Sequence, residues 1–156
     1  MKISDILDEA SIRTRLSGNS KEEIIQGMID IVALSKKVLD KDKVREAIFE
    51  REKIMSTGVG NGFAIPHGKT DAVSDIVAAF AVTAAPIDYQ SLDEQPVRLV
   101  FLLVGKDSMV GPHIKLLSRI SRLMNKEEFR KKLLAAASPK DVLEVFRTEE
   151  ATYFDN

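Results

Sequence analysis

The clearest periodicity runs through "SKEEIIQGMIDIVALS" (residues 20–35), where Ile24, Ile25, Met28, Ile31, Val32 and Ser35 recur at helical spacing. Ser20 followed by Glu23 is a capping-box signature and predicts the helix start. "DKDKVREAIFEREKIM" (40–55) predicts a second helix, with Asp40 as N-cap and Val44, Ala47, Ile48 and Met55 as its apolar positions. After Thr57 the pattern changes. "TGVGNGFAIPH" is broken by glycines and β-rich at its end, so it reads as a loop followed by a short strand ending at His67. "DIVAAFAVT" (75–83) and "VRLVFLLV" (97–104) are apolar runs of strand length, and "APIDYQSLDEQP" between them has turn chemistry. The last third reads as helical. "GPHIKLLSRISRLM" carries Pro112 near its first helical position, "NKEEFRKKLLAAA" opens on Asn125, and "SPKDVLEVFR" opens on Ser138 with Pro139 and a capping Asp141. Helices on both sides of central strands predict an α/β fold, a sheet covered by helices. The pattern sets no strand order.

Composition narrows the classes. A chain of 156 residues suits one domain, 1–156, large enough for its own core. Lys+Arg (23) and Asp+Glu (24) nearly cancel, so no overall field favours nucleic acid or an anionic membrane. The densest basic run, "FRKK" at 129–132, reads as a solvated helix face. The absence of cysteine excludes thiol catalysis, disulfides and cysteine-based zinc sites, and suits the cytoplasm. "MKISDILDEA" has early acids and no apolar core, so it is not expected to be a signal peptide. No apolar stretch approaches the roughly 20 residues of a membrane span.

Three polar residues sit where the pattern makes them conspicuous. Arg51 falls on the stripe of Val44, Ala47, Ile48 and Met55, whereas Glu46, Glu50 and Lys53 fall opposite. A charge on an apolar face either snorkels or pairs at the rim, or is an anion-binding arginine aimed into a site. His113 shares a stripe with Leu116, Leu117, Ile120, Leu123 and Met124, in a first helical turn where the dipole favours an anion over an imidazolium. It is either a satisfied core or capping histidine or a functional one. His67, between Pro66 and Gly68, is either presented from a strand end or incidental.

Most chemistries these residues could serve lack their other parts. Two histidines without a carboxylate or cysteine partner fall short of a zinc set, and Asp71 in "HGKTD" adds little. There is no G-x-S-x-G elbow and no P-loop, and "GVGNGF" lacks the dinucleotide spacing. Histidine as a nucleophile toward phosphorus remains apt. Neutral imidazole is nucleophilic near pH 7, and its phosphoramidate is a transferable phosphoryl group.

The sequence at this point resembles a known family over nearly its whole length. The strings "ISDILDEASI", "SKEEII", "REKIMSTGVGNGFAIPHGK", "PIDYQSLDEQPVRLVFLLV", "HIKLLSRISRLM" and "FRKKLLAAASPKDVLEVF" look like enzyme IIA of the fructose/mannitol class (type 2) of the bacterial phosphoenolpyruvate-dependent phosphotransferase system. "STGVGNGFAIPHGK" with a second histidine downstream is the most specific part; Phe63 stands where isoleucine is common. The resemblance implies a single α/β domain, a mixed β-sheet flanked by helices on both sides. It implies a phosphotransferase whose phosphorylated residue is His67, with His113 beside that ring and Arg51 stabilising the phosphoryl oxygens. The implied donor is the phosphocarrier HPr or its nitrogen-branch counterpart. The implied acceptor is a IIB domain in sugar transport, or the phosphorylated state itself controls protein partners. No cofactor, metal, nucleic acid or membrane insertion is implied, and the implied compartment is the cytoplasm. The chain leans toward the nitrogen-regulatory branch.

Overall fold

The computed structural model describes residues 1–154. A short α1 (Ile3–Ile6) and a 3-10 turn (Glu9–Ser11) lead into β1 (Ile12–Leu16). Next come α2 (Lys21–Val32) and α3 (Lys41–Ile54). Five strands follow: β2 (Gly58–Gly60), β3 (Phe63–Ala64), β4 (His67–Lys69), β5 (Val77–Ile87) and β6 (Val97–Gly105). The described chain finishes with α4 (Val110–Met124), α5 (Glu127–Ala135) and α6 (Pro139–Phe154).

Helix starts follow the sequence closely. Ser20 Oγ accepts from Glu23 N at 3.2 Å, but the Glu23 carboxylate reaches Asn19 N (2.6 Å), one residue before the reciprocal partner of a capping box. Asp40 Oδ1 accepts from the amides of Asp42 and Lys43, as an N-cap should. Asn125 is a correction. It is the C-cap of α4, its amide bonding back to Ser121 O, and α5 starts two residues later behind Lys126.

The apolar runs become β5 and β6, paired antiparallel with Phe80 opposite Phe101. Their alternating side chains feed two cores. Phe80, Val82, Phe101 and Leu103 face α4, α5 and α6, whereas Ala79, Ala81, Val100 and Leu102 face α2 and α3. The sheet order is β1-β5-β6-β3-β2, with β4 also on β6. β1 is parallel to β5, and β3 and β4 are parallel to β6, so the sheet is mixed and helices cover both faces. β5 runs on past a register irregularity to Ile87, taking in Pro86, which the sequence pattern assigned to the turn.

β3 and β4 are one interrupted strand. Phe63 and Ala64 pair with Leu99 and Val100, and His67 and Gly68 pair with Leu103 and Val104. His67 therefore opens β4 rather than ending a strand. Pro66 has no N–H for the ladder, and its carbonyl still accepts from Leu103 N at 3.1 Å. The site thus lies toward the carboxyl ends of parallel strands, where α/β sheets open a crevice.

The core on the α4–α6 face is aromatic. Phe146 is fully buried, with ring centroids 5.3 Å from Phe80, 5.9 Å from Phe101 and 5.3 Å from Phe129, all edge-on. The amides of Ile3 and Ser4 both donate to the buried Glu150 carboxylate (2.6 and 2.9 Å), which ties the amino end to α6. Phe146→Ala should cost about 3–5 kcal/mol of stability. Urea denaturation monitored by circular dichroism measures it, and a loss under about 1 kcal/mol would contradict this packing.

Candidate functional site

The site starts from a helix resting on a strand. A Cβ placed on Gly68 would stand 3.2 Å from the backbone carbon and oxygen of Ala47, so glycine lets α3 rest this close to β4 without the helix having to give way. Arg51 is one turn beyond Ala47 on the same helix face. That places its guanidinium on the wall of the cleft that holds His67. Arg51 is only partly buried, and its Nη1 donates to Met55 O at 3.0 Å, across the end of its own helix. The centre of the buried stripe is Val44, Ile48 and Glu52, four residues apart, so Arg51 lies at its edge. Met55 falls just past the helix and is 56% exposed, not part of the apolar face.

His67 is partly buried. Its Nδ1 lies 2.7 Å from the carbonyl oxygen of Ile65. A carbonyl can only accept, so Nδ1 carries the proton and Nε2 keeps its lone pair. Burial pushes the His67 pKa below its ordinary value. The Ile65 carbonyl opposes that shift, the Arg51 charge adds to it, and the Glu52 charge opposes it. The ring is therefore neutral, with a defined tautomer, at neutral pH.

His113 comes from the first turn of α4 and is 4% exposed. Its ring centroid is 5.8 Å from that of His67, the planes tilted by 50°. The ring packs against Gly105 at the end of β6, where a Cβ would stand 2.8 Å from Nδ1. That Nδ1 is buried and without a hydrogen-bond partner. Burial, reinforced by the charges of His67 and Lys69, lowers the His113 pKa to about 4.

The structure thus brings His67, His113 and Arg51 to one open cleft of about 710 Å³. Lys69 and Asp107 also line it, and the sequence reading passed over both. Both are exposed and in loop or strand-end positions, with no periodic signal to mark them. The buried acid Glu52 was also passed over, although its spacing from Val44 and Ile48 marks it. Ile54 (79% exposed) and Ile114 (59% exposed) form apolar parts of the rim. Among the described residues no group of three histidine or acidic side chains could hold a metal ion. No helix there is long and apolar enough to cross a membrane.

Residues 5–149 match the family model described as "Phosphoenolpyruvate-dependent sugar phosphotransferase system, EIIA 2". The chain belongs to this EIIA family. It is 36% identical over 150 residues to the fructose-specific EIIABC component of the phosphotransferase system from Bacillus subtilis (strain 168). That alignment takes in 96% of this EIIA chain but only 24% of the longer relative. It is also 36% identical over 154 residues to the nitrogen regulatory protein of Bradyrhizobium diazoefficiens, covering 97% of one and 99% of the other. The crystal structure of nitrogen regulatory protein IIA-Ntr from Neisseria meningitidis superposes with a TM-score of 0.86 at 30% identity, over 92% of this chain and 98% of that one.

The two depressed histidines make the EIIA fold acid-sensitive in a defined window. Below pH 6.5 the unfolded chain takes up a proton at position 113 that the folded chain refuses until about pH 4. The stabilising contribution is complete above pH 6.5 and is lost as pH falls toward 4, by about 3 kcal/mol at most. His67 acts in the same direction. Urea unfolding at a series of pH values should show this slope, and His113→Gln should flatten it. An equal slope in that variant would contradict the assignment.

Proposed function

We propose that this EIIA chain is a phosphoryl carrier whose accepting atom is Nε2 of His67. The observation that carries the reading is the Nδ1–H bond to the Ile65 carbonyl, which leaves Nε2 as the lone-pair nitrogen beside a cleft-lining arginine. A phosphohistidine of an HPr-type donor docks over the cleft. Nε2 attacks phosphorus in line, the new N–P bond forms as the donor's N–P bond breaks, and the donor imidazole leaves with the electron pair. Arg51 stabilises the charge spread over the phosphoryl oxygens, and the neutral His113 ring contacts the group from the α4 side. Exposed Ile54 and Ile114 give the cleft an apolar rim of the kind that seats a protein partner. All of this suits a cytoplasmic protein working between other proteins.

Two onward fates fit. In sugar uptake the phosphoryl group passes to a IIB domain, consistent with likeness to one part of an EIIABC component. In the regulatory reading, phosphorylation selects protein partners without sugar transfer. End-to-end likeness to a nitrogen regulatory protein favours the second.

Incubation with enzyme I, HPr and phosphoenolpyruvate should add one phosphoryl group, detected by mass. His67→Ala should abolish the gain, and labelling equal to wild type would refute the acceptor assignment. Arg51→Ala should slow transfer about 10²-fold with circular dichroism unchanged. Wild-type rates in that variant would make the arginine structural only. Rapid discharge of the phosphorylated protein onto a IIB domain would favour the sugar branch.

A further inference from the structure

Behind the cleft, α3 ends in a buried polar cluster that the carrier chemistry does not use. Glu52 is 9% exposed and next to Arg51 in sequence, yet it points into the protein. Its Oε1 accepts from Thr57 N at 2.8 Å and pairs with Lys21 Nζ at 2.7 Å. Its Oε2 accepts from the Thr57 hydroxyl at 2.6 Å. Thr57 spends its only hydroxyl proton on Glu52, so the Tyr89 O–H, 2.9 Å away, donates to Thr57. Burial and the nearby Glu52 charge raise the Tyr89 pKa, which keeps it a donor. Lys21 also lies 4.8 Å over the Tyr89 ring.

The bonds from Thr57 close a loop from the last turn of α3 to the residue before β2. Inside that loop sits Met55, whose carbonyl anchors the Arg51 guanidinium. We propose that Glu52 is the positioning residue of this site: by clamping Thr57 it fixes Met55, and through Met55 it holds Arg51 beside His67. The importance of this for transfer rests on the carrier reading, but the placement of Arg51 does not. Cutting the clamp frees a helix end whose carbonyls have few other partners, so Arg51 loses its anchor while the two cores stay intact.

A double-mutant cycle on the His67 titration, followed by NMR, tests this without any transfer assay. Arg51→Ala should raise the His67 pKa when Glu52 is present, because it removes a nearby positive charge. In a Glu52→Ala background the same change should leave that pKa unmoved, since Arg51 has already left. An equal Arg51→Ala shift in both backgrounds overturns the proposal. Should Glu52→Ala not fold, the apolar pair Glu52→Leu with Lys21→Met removes the same acceptor without stranding a buried charge and takes its place in the cycle under the same criterion. The neutral pair Glu52→Gln with Lys21→Met keeps an acceptor for Thr57 N, so it should preserve the wild-type Arg51→Ala shift; its loss also overturns the proposal. In the phosphoryl-transfer assay, Glu52→Ala should lower kcat about tenfold with the HPr KM nearly unchanged, and add no further loss to Arg51→Ala. An additive loss counts against positioning. Failure of wild-type protein to be labelled refutes the carrier reading alone, because the titration cycle still decides where Arg51 is held.

Discussion

The antiparallel pairing of β5 with β6 is the constraint on which the other elements depend. Each strand is buried on both faces, so each supplies alternate side chains to two separate cores. A slip of one residue would exchange the Phe80–Phe101 layer with the Ala81–Val100 layer and fit neither set of helices. Once that register is set, the outer edge of β6 takes β3 and β4 in parallel. The position of His67 opposite Leu103 is then a consequence of sheet register rather than of loop conformation. A side chain held by a strand is held more tightly than one on a loop.

Much of this was legible in the sequence, for identifiable reasons. α2, α3 and the two long strands announce themselves because each buries a face, and burial leaves a period. Arg51 and His113 stood out because they break such a period. What escaped did so for equally physical reasons. β1, "IRTRL", was not predicted because only Ile12 in it is fully buried and its alternation is short. The break between β3 and β4 was invisible because strand pairing across Pro66 depends on a partner far along the chain. The sequence pattern puts Arg51 on the apolar stripe because it counts Met55 as helical. The helix stops at Ile54, and the stripe then centres on Glu52. Which tautomer His67 adopts could not be read at all, since it is decided by the carbonyl of Ile65.

The three site residues come from three different elements, and each is placed by a close approach to a main-chain segment. Gly68 lets α3 approach, Gly105 makes room for the His113 ring, and the interrupted strand holds the His67 ring against the Ile65 carbonyl. Family membership and geometry therefore bear on different links. The family identifies the class of chemistry, and the geometry supplies the tautomer, the neutral charge state and the cation nearby.

The sheet's terminal strands, β1 and β2, have a consequence for life in a crowded solution. An unpaired strand edge invites another chain to add to it. β2 is three residues long with glycine at both ends, too short and pliant to template a partner. β1 is longer, but it carries Arg13 and Arg15, and the Arg13 guanidinium covers the carbonyls of Ala10 and Ile12 at 2.8 and 2.9 Å. Two copies brought edge to edge would meet with like charges. The apolar rim at the cleft thus belongs to a fold whose sheet ends are unattractive to added strands.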